Sequence, residues 1–213
     1  MTITEALLGF AMMVALLTVI PGIDTTLVLR SSLTRTRGYA WATALGISTG
    51  TVVWGVAAAA GATALLAASS LAYQVVSLAG ALYLAGLGVS FILTSFRTPP
   101  ASEAEARLPE PTGGAWRAWT IGLTTNLLNP KVGVFYLATI PHFIPPGTSP
   151  LLMGALLALT HAVLNLLWSG AIILAGSAIG RRMRTPGVLR WLDRVTGGVL
   201  LAFGVRMAFD SRA

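Results

Sequence analysis

Two long stretches of the chain contain no charged side chain. Residues 38–96 and 132–180 have no Asp, Glu, Lys or Arg, whereas a membrane-spanning helix needs only about 20 consecutive apolar residues. Each stretch therefore has room for at least two spans. The whole chain agrees with this interpretation, because 55% of its 213 residues are hydrophobic, 10% are charged and the mean hydropathy is +0.78. Such a composition predicts an integral membrane protein.

Turn signals and charge clusters divide the chain into six apolar segments. They are residues 6–29, 39–66, 72–95, 117–141, 151–179 and 188–209. We expect each segment to be a helix, because lipid offers backbone N–H and C=O groups no other partner. The fold class predicted is therefore an all-α membrane protein with six transmembrane helices. The first segment has no basic region before it and no clear small-residue cleavage site after it, so we expect a retained span rather than a signal peptide.

Positive charge alternates between successive loops. The first, third and fifth loops are basic, and they carry Arg30, Arg35 and Arg37, then Arg97, Arg107 and Arg117, then Arg181, Arg182, Arg184, Arg190 and Arg194. The second loop, AASSLA, and the fourth, HFIPPGTSP, carry no Lys or Arg. The positive-inside rule places the basic loops in the cytoplasm and both termini outside. The net charge of +7 is then a feature of topology, and we expect no nucleic-acid partner.

The third loop divides the chain into two halves. Residues 97–116 are rich in Pro, Ala and Glu and are typical of a flexible cytoplasmic linker. Residues 1–96 and 117–213 would each hold three spans, so the halves would run in opposite directions through the membrane. Three weak matches occur in the same order in both halves: LTVIPGID with TNLLNPKV, TVVWG with NLLWS, and GALYLAG with GVLLAFG. We therefore predict two inverted three-helix repeats.

Helix breakers occur near a charged residue in the first span of each half. Pro21 and Gly22 interrupt the first segment, and Pro130 interrupts the fourth. A proline inside a helix costs about 3 kcal/mol and a glycine about 1, and the freed backbone groups are tolerated where they are buried in protein or line a water-filled cavity. Asp24 and Lys131 follow these breaks, although a charge at a span centre costs roughly 2.5 to 3.5 kcal/mol. Intramembrane charges usually mark a transport pathway, but a buried ion pair that only fixes how the halves pack is the alternative.

Further polar side chains are candidates for the same cavity. They are Thr25, Asn126, Asn129, His161 and Asn165. Asn126 and Pro130 share a helix face, so the Asn126 amide would cover a carbonyl freed by the break or bind a substrate. His161 is either a hydrogen-bonded packing residue or a proton relay. The chain has no cysteine, so we expect no disulfide and no thiolate metal site, and we predict no cofactor.

Four stretches together resemble the LysE/RhtB family of amino-acid exporters. They are PGIDTTLVLRSSLTRTRGYAWATALGISTG, SLAGALYLAGLG, TTNLLNPKVGVFYLATIPHFI and LDRVTGGVLLAFGVRMAF. The Pro-Gly-Pro motif of the family, followed by Asn or Asp, falls on residues 21–24, and its Asn-Pro-Lys motif falls on residues 129–131. Ile23 stands where the family usually has a second proline. Asn165 lies near a position at which some members have an acidic residue.

The resemblance implies an exporter of amino acids in the bacterial inner membrane, driven by the proton gradient. We expect alternating access between the two halves, with the substrate held between the broken spans. Lys131 and the positive ends of half-helices would meet the substrate carboxylate, and Asp24 would meet the ammonium group or carry the proton. A passive channel is the alternative, and an intramembrane enzyme is poorly supported because there is no nucleophile with a base. A homo-oligomer is compatible with the sequence.

Overall fold

The regular structure is helical throughout the described part of the chain. A computed structural model describes residues 1–96, 113–175 and 185–210. The helices are α1 (Ile3–Val19), α2 (Ile23–Thr34), α3 (Arg37–Ala68), α4 (Ser70–Thr94), α5 (Ala115–Leu127), α6 (Pro130–Thr139), α7 (Pro150–Ala175) and α8 (Pro186–Asp210), and a 3-10 turn, Ile140–Phe143, follows α6. The predicted all-α class is therefore confirmed for these residues.

Each predicted apolar segment coincides with helical structure. The first segment corresponds to α1 and α2 and the fourth to α5 and α6, so both are broken. Residues 176–179 of the fifth segment and residues 97–112 of the predicted linker lie outside the described residues. Residues 115 and 116 were expected in the linker, but they already belong to α5.

Several of these helices are long and apolar enough to cross a membrane. Residues 37–65 of α3, together with α4 and α7, meet this criterion by length and composition. The α1–α2 pair meets it as a fourth span when it is counted as one helix bent by 54°. Among the described helices, α8 and the α5–α6 pair do not meet it. For α8 the reason is the charge of its first half, which contains Arg190, Asp193 and Arg194.

Side chains cap the N-termini of α1 and α3. Thr2 and Glu5 form a reciprocal capping box at the start of α1, in which Thr2 N donates to Glu5 Oε2 at 2.7 Å. The Thr36 hydroxyl accepts from the backbone N–H of Tyr39 at the start of α3. These caps satisfy N–H groups that have no partner within the helix.

The two breaks have different local chemistry. In the first, α1 ends in extended backbone at Ile20, and α2 begins after Pro21 with Gly22 as its N-cap. In the second, Pro130 is the first residue of α6, and the side chain of Asn129 caps the helix by accepting from Lys131 N at 3.1 Å. Proline at this position loses no helical hydrogen bond, because the first N–H groups of a helix have no partner in any case. Pro130 is therefore the first residue of the half-helix that follows the predicted break.

Small residues let α3 approach two other helices closely. Gly50 lies against the side chain of Asn126, and Thr43 lies against Gly122, so α3 and α5 run parallel. Gly46 contacts the backbone of α5 at Trp119.

Two other helix pairs, α3 with α7 and α4 with α8, run antiparallel. Gly55 of α3 lies against Ala158 of α7, while Ala59 lies against Gly154. The α4 and α8 helices pack in the same manner and contact each other more extensively than any other pair among the described helices. Gly88 of α4 meets Gly197 of α8 there. Backbones without side chains between them can approach closely, which is how helices commonly pack in membranes.

An aromatic core joins α1 to α6 and to the 3-10 turn that follows α6. The ring of Phe10 in α1 lies 5.4 Å from that of Phe143, 6.2 Å from that of Phe135 and 6.3 Å from that of Tyr136, centroid to centroid. All four residues are buried. Offset and edge-to-face contacts of this kind stabilise aromatic pairs beyond their buried area.

The outer faces of the helices are apolar. Leu71, Leu167 and Leu174 are 69%, 67% and 68% exposed, and they lie at the start of α4 and in the second half of α7. Large apolar side chains that face outward from several helices suit a surface covered by lipid.

Candidate functional site at the helix breaks

The two helix breaks meet at a small cavity. The cavity has a volume of about 50 Å³, which is enough for a few water molecules, since one water needs roughly 10–15 Å³ by this kind of measure. Eight residues predicted from sequence line it: Gly22, Asp24, Thr25, Asn126, Asn129, Lys131, His161 and Asn165. Pro21 and Pro130, which were also predicted, are not lining residues; they shape the breaks on either side.

A hydrogen bond between Asp24 and Asn126 connects the two breaks. Asp24 lies in the first turn of α2 and Asn126 in the last turn of α5, and Asn126 Nδ2 donates to Asp24 Oδ2 at 2.8 Å. The Asn126 amide therefore holds the carboxylate rather than covering a freed carbonyl. The second carboxylate oxygen, Asp24 Oδ1, is buried and has no hydrogen-bond partner among the residues that the structure describes. A buried acceptor without a donor is unusual and marks a place where a ligand donor or a proton could bind.

Lys131 lies in the first turn of α6, beside the same cavity. Its Nζ is 5.1 Å from the centre of the Phe91 ring, a cation–π contact. Within the described residues, no oxygen of Asp24 lies within 4.0 Å of Lys131 Nζ, so the two groups do not form a direct salt bridge. Lys131 does lie within electrostatic range of two carboxylates, Asp24 and Asp193.

The position of Lys131 in its helix is electrostatically unfavourable. The N-terminus of a helix carries partial positive charge, so a cation in the first turn is repelled and an anion is attracted. Asp24 occupies the favourable counterpart position at the start of α2. Both half-helices therefore begin at the cavity, one with a carboxylate and the other with an ammonium group. An anionic ligand group would be attracted to the α6 end by both the helix and Lys131.

His161 links three helices through both ring nitrogens. Its Nδ1 lies 2.9 Å from the hydroxyl of Tyr136 in α6, and its Nε2 lies 3.2 Å from the hydroxyl of Thr18 in α1. The Tyr136 and His161 rings are stacked, with centroids 5.7 Å apart and planes inclined by 10°. His161 is thus a hydrogen-bonded residue of the cavity wall.

The remaining predicted residues lie at the edges of the cavity. Asn165 Nδ2 donates to Ser48 Oγ of α3 at 3.1 Å, so this amide ties α7 to α3. Thr25 follows Asp24 in α2 and lines the cavity beside it. No group of three or more metal-ligating side chains occurs in the described ranges.

Sequence reasoning missed several residues of the site. They are Thr18, Ser48, Thr51, Phe91, Tyr136 and Asp193. Thr18 is three residues before Pro21, and Tyr136 is within two turns of Pro130, so polar residues close to a break were the available signal. For Phe91 and Asp193 the sequence carries no comparable signal, because they reach the site only through the packing of α4 and α8.

Comparison with known proteins places the chain in a family. The sequence model of the family described as LysE type translocator matches residues 15–211. The chain belongs to this family. The LysE type assignment makes it a multi-pass membrane transporter rather than an enzyme, which confirms both the predicted family and the predicted class of protein. No solved structure matches the chain.

Curated relatives of this LysE type translocator cover nearly the whole chain. It is 26% identical over 205 residues to the membrane protein YrhP of Bacillus subtilis, which covers 95% of this chain and 98% of that protein. It is 22% identical over 187 residues to a threonine efflux protein of Salmonella typhi, covering 88% and 89%. It is 29% identical over 191 residues to a leucine efflux protein of Klebsiella pneumoniae, covering 89% and 88%.

Proposed function

We propose that this translocator exports a neutral amino acid across the bacterial inner membrane. The observation that carries the proposal is the cavity at the two breaks, which brings one carboxylate and one ammonium group together at the starts of two half-helices. These groups match the two charges of a zwitterion. Among the described residues that line the cavity, Asp24 supplies the carboxylate and Lys131 the ammonium group, so a substrate with a third, side-chain charge would lack an oppositely charged partner there.

The names of the relatives support a neutral substrate. The relatives described as threonine and leucine efflux proteins are named for amino acids whose side chains carry no charge. The described lining of the cavity also includes the apolar side chains of Leu17, Ile20 and Ile47. Aliphatic and hydroxyl-bearing side chains would therefore suit this cavity better than acidic or basic ones.

The proposed architecture is six spans in two inverted halves. Adjacent spans in such a protein alternate in direction, so the second span should run parallel to the fourth and antiparallel to the fifth, and the third should run antiparallel to the sixth. The contacts of α3 with α5, of α3 with α7 and of α4 with α8 have these directions. The α5–α6 pair and α8 would then cross the membrane as the fourth and sixth spans.

We propose alternating access between the halves as the transport cycle. The first break belongs to one half and the second to the other, so the Asp24–Asn126 hydrogen bond joins the parts that would move relative to each other. The substrate ammonium would replace the Asn126 amide or complement it at Asp24, and the substrate carboxylate would bind near Lys131. In the absence of substrate, Asp24 is the group best placed to take up the coupling proton.

Flux measurements on the purified protein test this function. An efflux screen in an expressing bacterial strain would first identify which amino acids are exported. Proteoliposomes loaded with the labelled amino acid should then show saturable efflux that an imposed pH gradient accelerates, together with exchange of labelled for unlabelled substrate. Efflux that does not saturate and shows no exchange would indicate a passive channel, and the absence of any amino-acid flux would refute the proposed substrate class.

A further inference from the structure

Thr18, His161 and Tyr136 form a continuous hydrogen-bonded chain beside the cavity. The two contacts of the His161 ring fix three helices relative to one another. Tyr136 is completely buried and His161 is buried, while Thr18 and His161 line the cavity. The positions of the hydrogens in this chain can be deduced from the donors and acceptors that are available.

The Thr18 hydroxyl has one hydrogen, and it donates this hydrogen to the carbonyl oxygen of Val14 rather than to His161. Thr18 Oγ1 lies 2.6 Å from the carbonyl oxygen of Val14, one turn earlier in α1, and only the hydroxyl can donate in that pair. The contact between Thr18 Oγ1 and His161 Nε2 is longer, at 3.2 Å. If the hydroxyl donates to Val14, His161 Nε2 must carry a hydrogen and donate it to Thr18 Oγ1.

Tyr136 leads independently to the same assignment. Within the described residues, the only hydrogen-bond partner of its hydroxyl is His161 Nδ1. If Nδ1 carried a hydrogen, the hydroxyl hydrogen of Tyr136 would be buried without an acceptor, which costs about 1–3 kcal/mol. Tyr136 therefore donates to an unprotonated Nδ1, and His161 is the neutral Nε2–H tautomer.

This arrangement leaves one hydrogen-bond acceptor, a lone pair of the Thr18 hydroxyl oxygen, available at the cavity. A hydroxyl oxygen has two lone pairs, and at Thr18 one of them accepts from His161. From these contacts we infer that Thr18 is a dedicated hydrogen-bond acceptor for a ligand N–H, and that Tyr136 and His161 are positioning residues that keep it so. Thr18 lines the cavity, and within the described residues no second donor contacts its Oγ1, so the other lone pair is left for a ligand.

The ligand group that this acceptor suits is a primary ammonium. Such a group has three N–H donors, and the cavity offers it the Thr18 hydroxyl oxygen in addition to the carboxylate of Asp24, whose Oδ1 has no partner within the described ranges. A ligand carboxylate would be repelled by both acceptors and would lie on the Lys131 side. The inference deepens the proposed function, on which it depends for the identity of the ligand.

The tautomer can be measured without any transport assay. The chain has two histidines, so His142→Gln leaves His161 as the only one, and ¹⁵N NMR of the histidine-labelled protein in nanodiscs reports which ring nitrogen is protonated. At neutral pH we expect a protonated Nε2 and an unprotonated Nδ1. Adding Tyr136→Phe should produce a mixture of tautomers, whereas Tyr73→Phe, a hydroxyl outside the cavity that donates to Pro141 O, should not. A protonated Nδ1, or exchange between tautomers with Tyr136 intact, overturns the inference.

The acceptor role is tested with the amino acid that the efflux screen identifies. Thr18→Val, which keeps the shape of the side chain and removes the oxygen, should raise KM about 3- to 10-fold, the effect of one net hydrogen bond, with little change in maximal flux. Thr18→Ser should restore the wild-type KM. Thr63→Val, which removes a similar helix-bonded hydroxyl from α3 outside the cavity, is the matched control.

An N-methylated substrate separates a ligand contact from a packing effect. N-methylation removes one N–H donor, so it should raise KM for the wild type and raise it less for Thr18→Val, which has already lost the acceptor. Equal penalties in both proteins, or an unchanged KM in Thr18→Val, would contradict the contact. If the wild type transports no amino acid, the proposed function fails, and the NMR result still decides whether the hydrogen-bonded chain exists.

Discussion

At the scale of single residues, Asp24 is held by a neutral amide and not by a cation. Among the described residues, no cation contacts the carboxylate directly and its Oδ1 has no donor, so the amide of Asn126 is its hydrogen-bond partner there. A carboxylate that formed a tight salt bridge with Lys131 would have to break that pair in each transport cycle. With an amide partner, the carboxylate remains available to a substrate ammonium or to a proton.

The first prediction concerns Asp24→Asn. The new side chain can still accept from Asn126, so the fold should be kept, but it cannot release a proton and carries no charge. We expect acceleration of efflux by a pH gradient to disappear, while substrate exchange falls about 10- to 100-fold, the range expected for loss of one charge-assisted hydrogen bond. Labelled flux in proteoliposomes with and without the gradient measures both effects. Gradient-driven efflux that persists would remove Asp24 from coupling.

The second prediction concerns Lys131→Met, which keeps the length of the side chain and removes its charge. Because this ammonium group lies at the positive end of α6 and has no direct salt bridge, its removal should not lower the thermal stability in detergent. Export should nevertheless be lost, since the substrate carboxylate would have no cation to meet. Normal KM and flux in Lys131→Met would exclude the carboxylate-binding role, and a large loss of stability would point instead to a structural role.

At the scale of elements, the position of Asn126 beside the second break depends on the close packing of α3 against α5. Gly50 of α3 provides the surface against which the Asn126 side chain lies, and a methyl group at Gly50 would fall 2.6 Å from Asn126 Oδ1 and 3.0 Å from its Cβ. Either the Asn126 side chain or the two helices would have to shift to accommodate this methyl group, and we expect that shift to weaken the bond to Asp24. Close packing of α3 on α5 is therefore part of the site.

The third prediction follows from this contact and compares two substitutions in α3. Gly50→Ala should lower the free energy of unfolding by roughly 1–3 kcal/mol through overpacking. It should also reduce the flux per folded protein. Gly61→Ala is the matched control, since nothing lies within 4 Å of the added methyl group, and it should be neutral or stabilising by up to about 1 kcal/mol. Fluorescence melting curves and flux per folded protein are the measurements. Equal behaviour of the two variants would show that the Asn126 position is not constrained by Gly50.

At the scale of the whole molecule, the alternation of basic and charge-free loops predicts how the chain is oriented in the membrane. The helix directions agree with alternating spans, but they do not distinguish inside from outside. The absence of cysteine in the native chain allows single cysteines to report this without background. Ala68 and Ser149 are exposed between spans in the charge-free loops, and Thr34 and Thr185 are exposed beside the basic ones.

The fourth prediction is the labelling pattern of these positions. In intact cells, Ala68→Cys and Ser149→Cys should react with an impermeant thiol reagent, whereas Thr34→Cys and Thr185→Cys should react only after the membrane is permeabilised. The physical reason is the retention of Lys and Arg on the cytoplasmic side. Labelling of the second pair in intact cells would reverse the topology, and labelling of positions from both pairs would contradict six alternating spans.

Much of the fold was predictable because its causes are local. Long apolar runs without charge predicted where the helices lie, and Pro21, Gly22 and Pro130 predicted where two of them break. The charges next to those breaks predicted most of the cavity wall, because a charge in an apolar segment has few other uses. The match of GALYLAG with GVLLAFG did not predict how its glycines pack. Gly80 packs against Ala138, whereas its match Gly198 has nothing within 4 Å of an added methyl group.

What only the tertiary structure decided is how side chains pair across helices. The sequence left open whether Asp24 and Lys131 pair directly, and in the structure Asp24 bonds to Asn126 while Lys131 lies over Phe91. Pairing depends on how each helix is rotated about its own axis, and a rotation of one residue, about 100°, moves a side chain off the face that meets the cavity. Hydropathy and helix breakers carry no information on that rotation. It is set by which small residues allow two backbones to approach, as Gly50 does for Asn126.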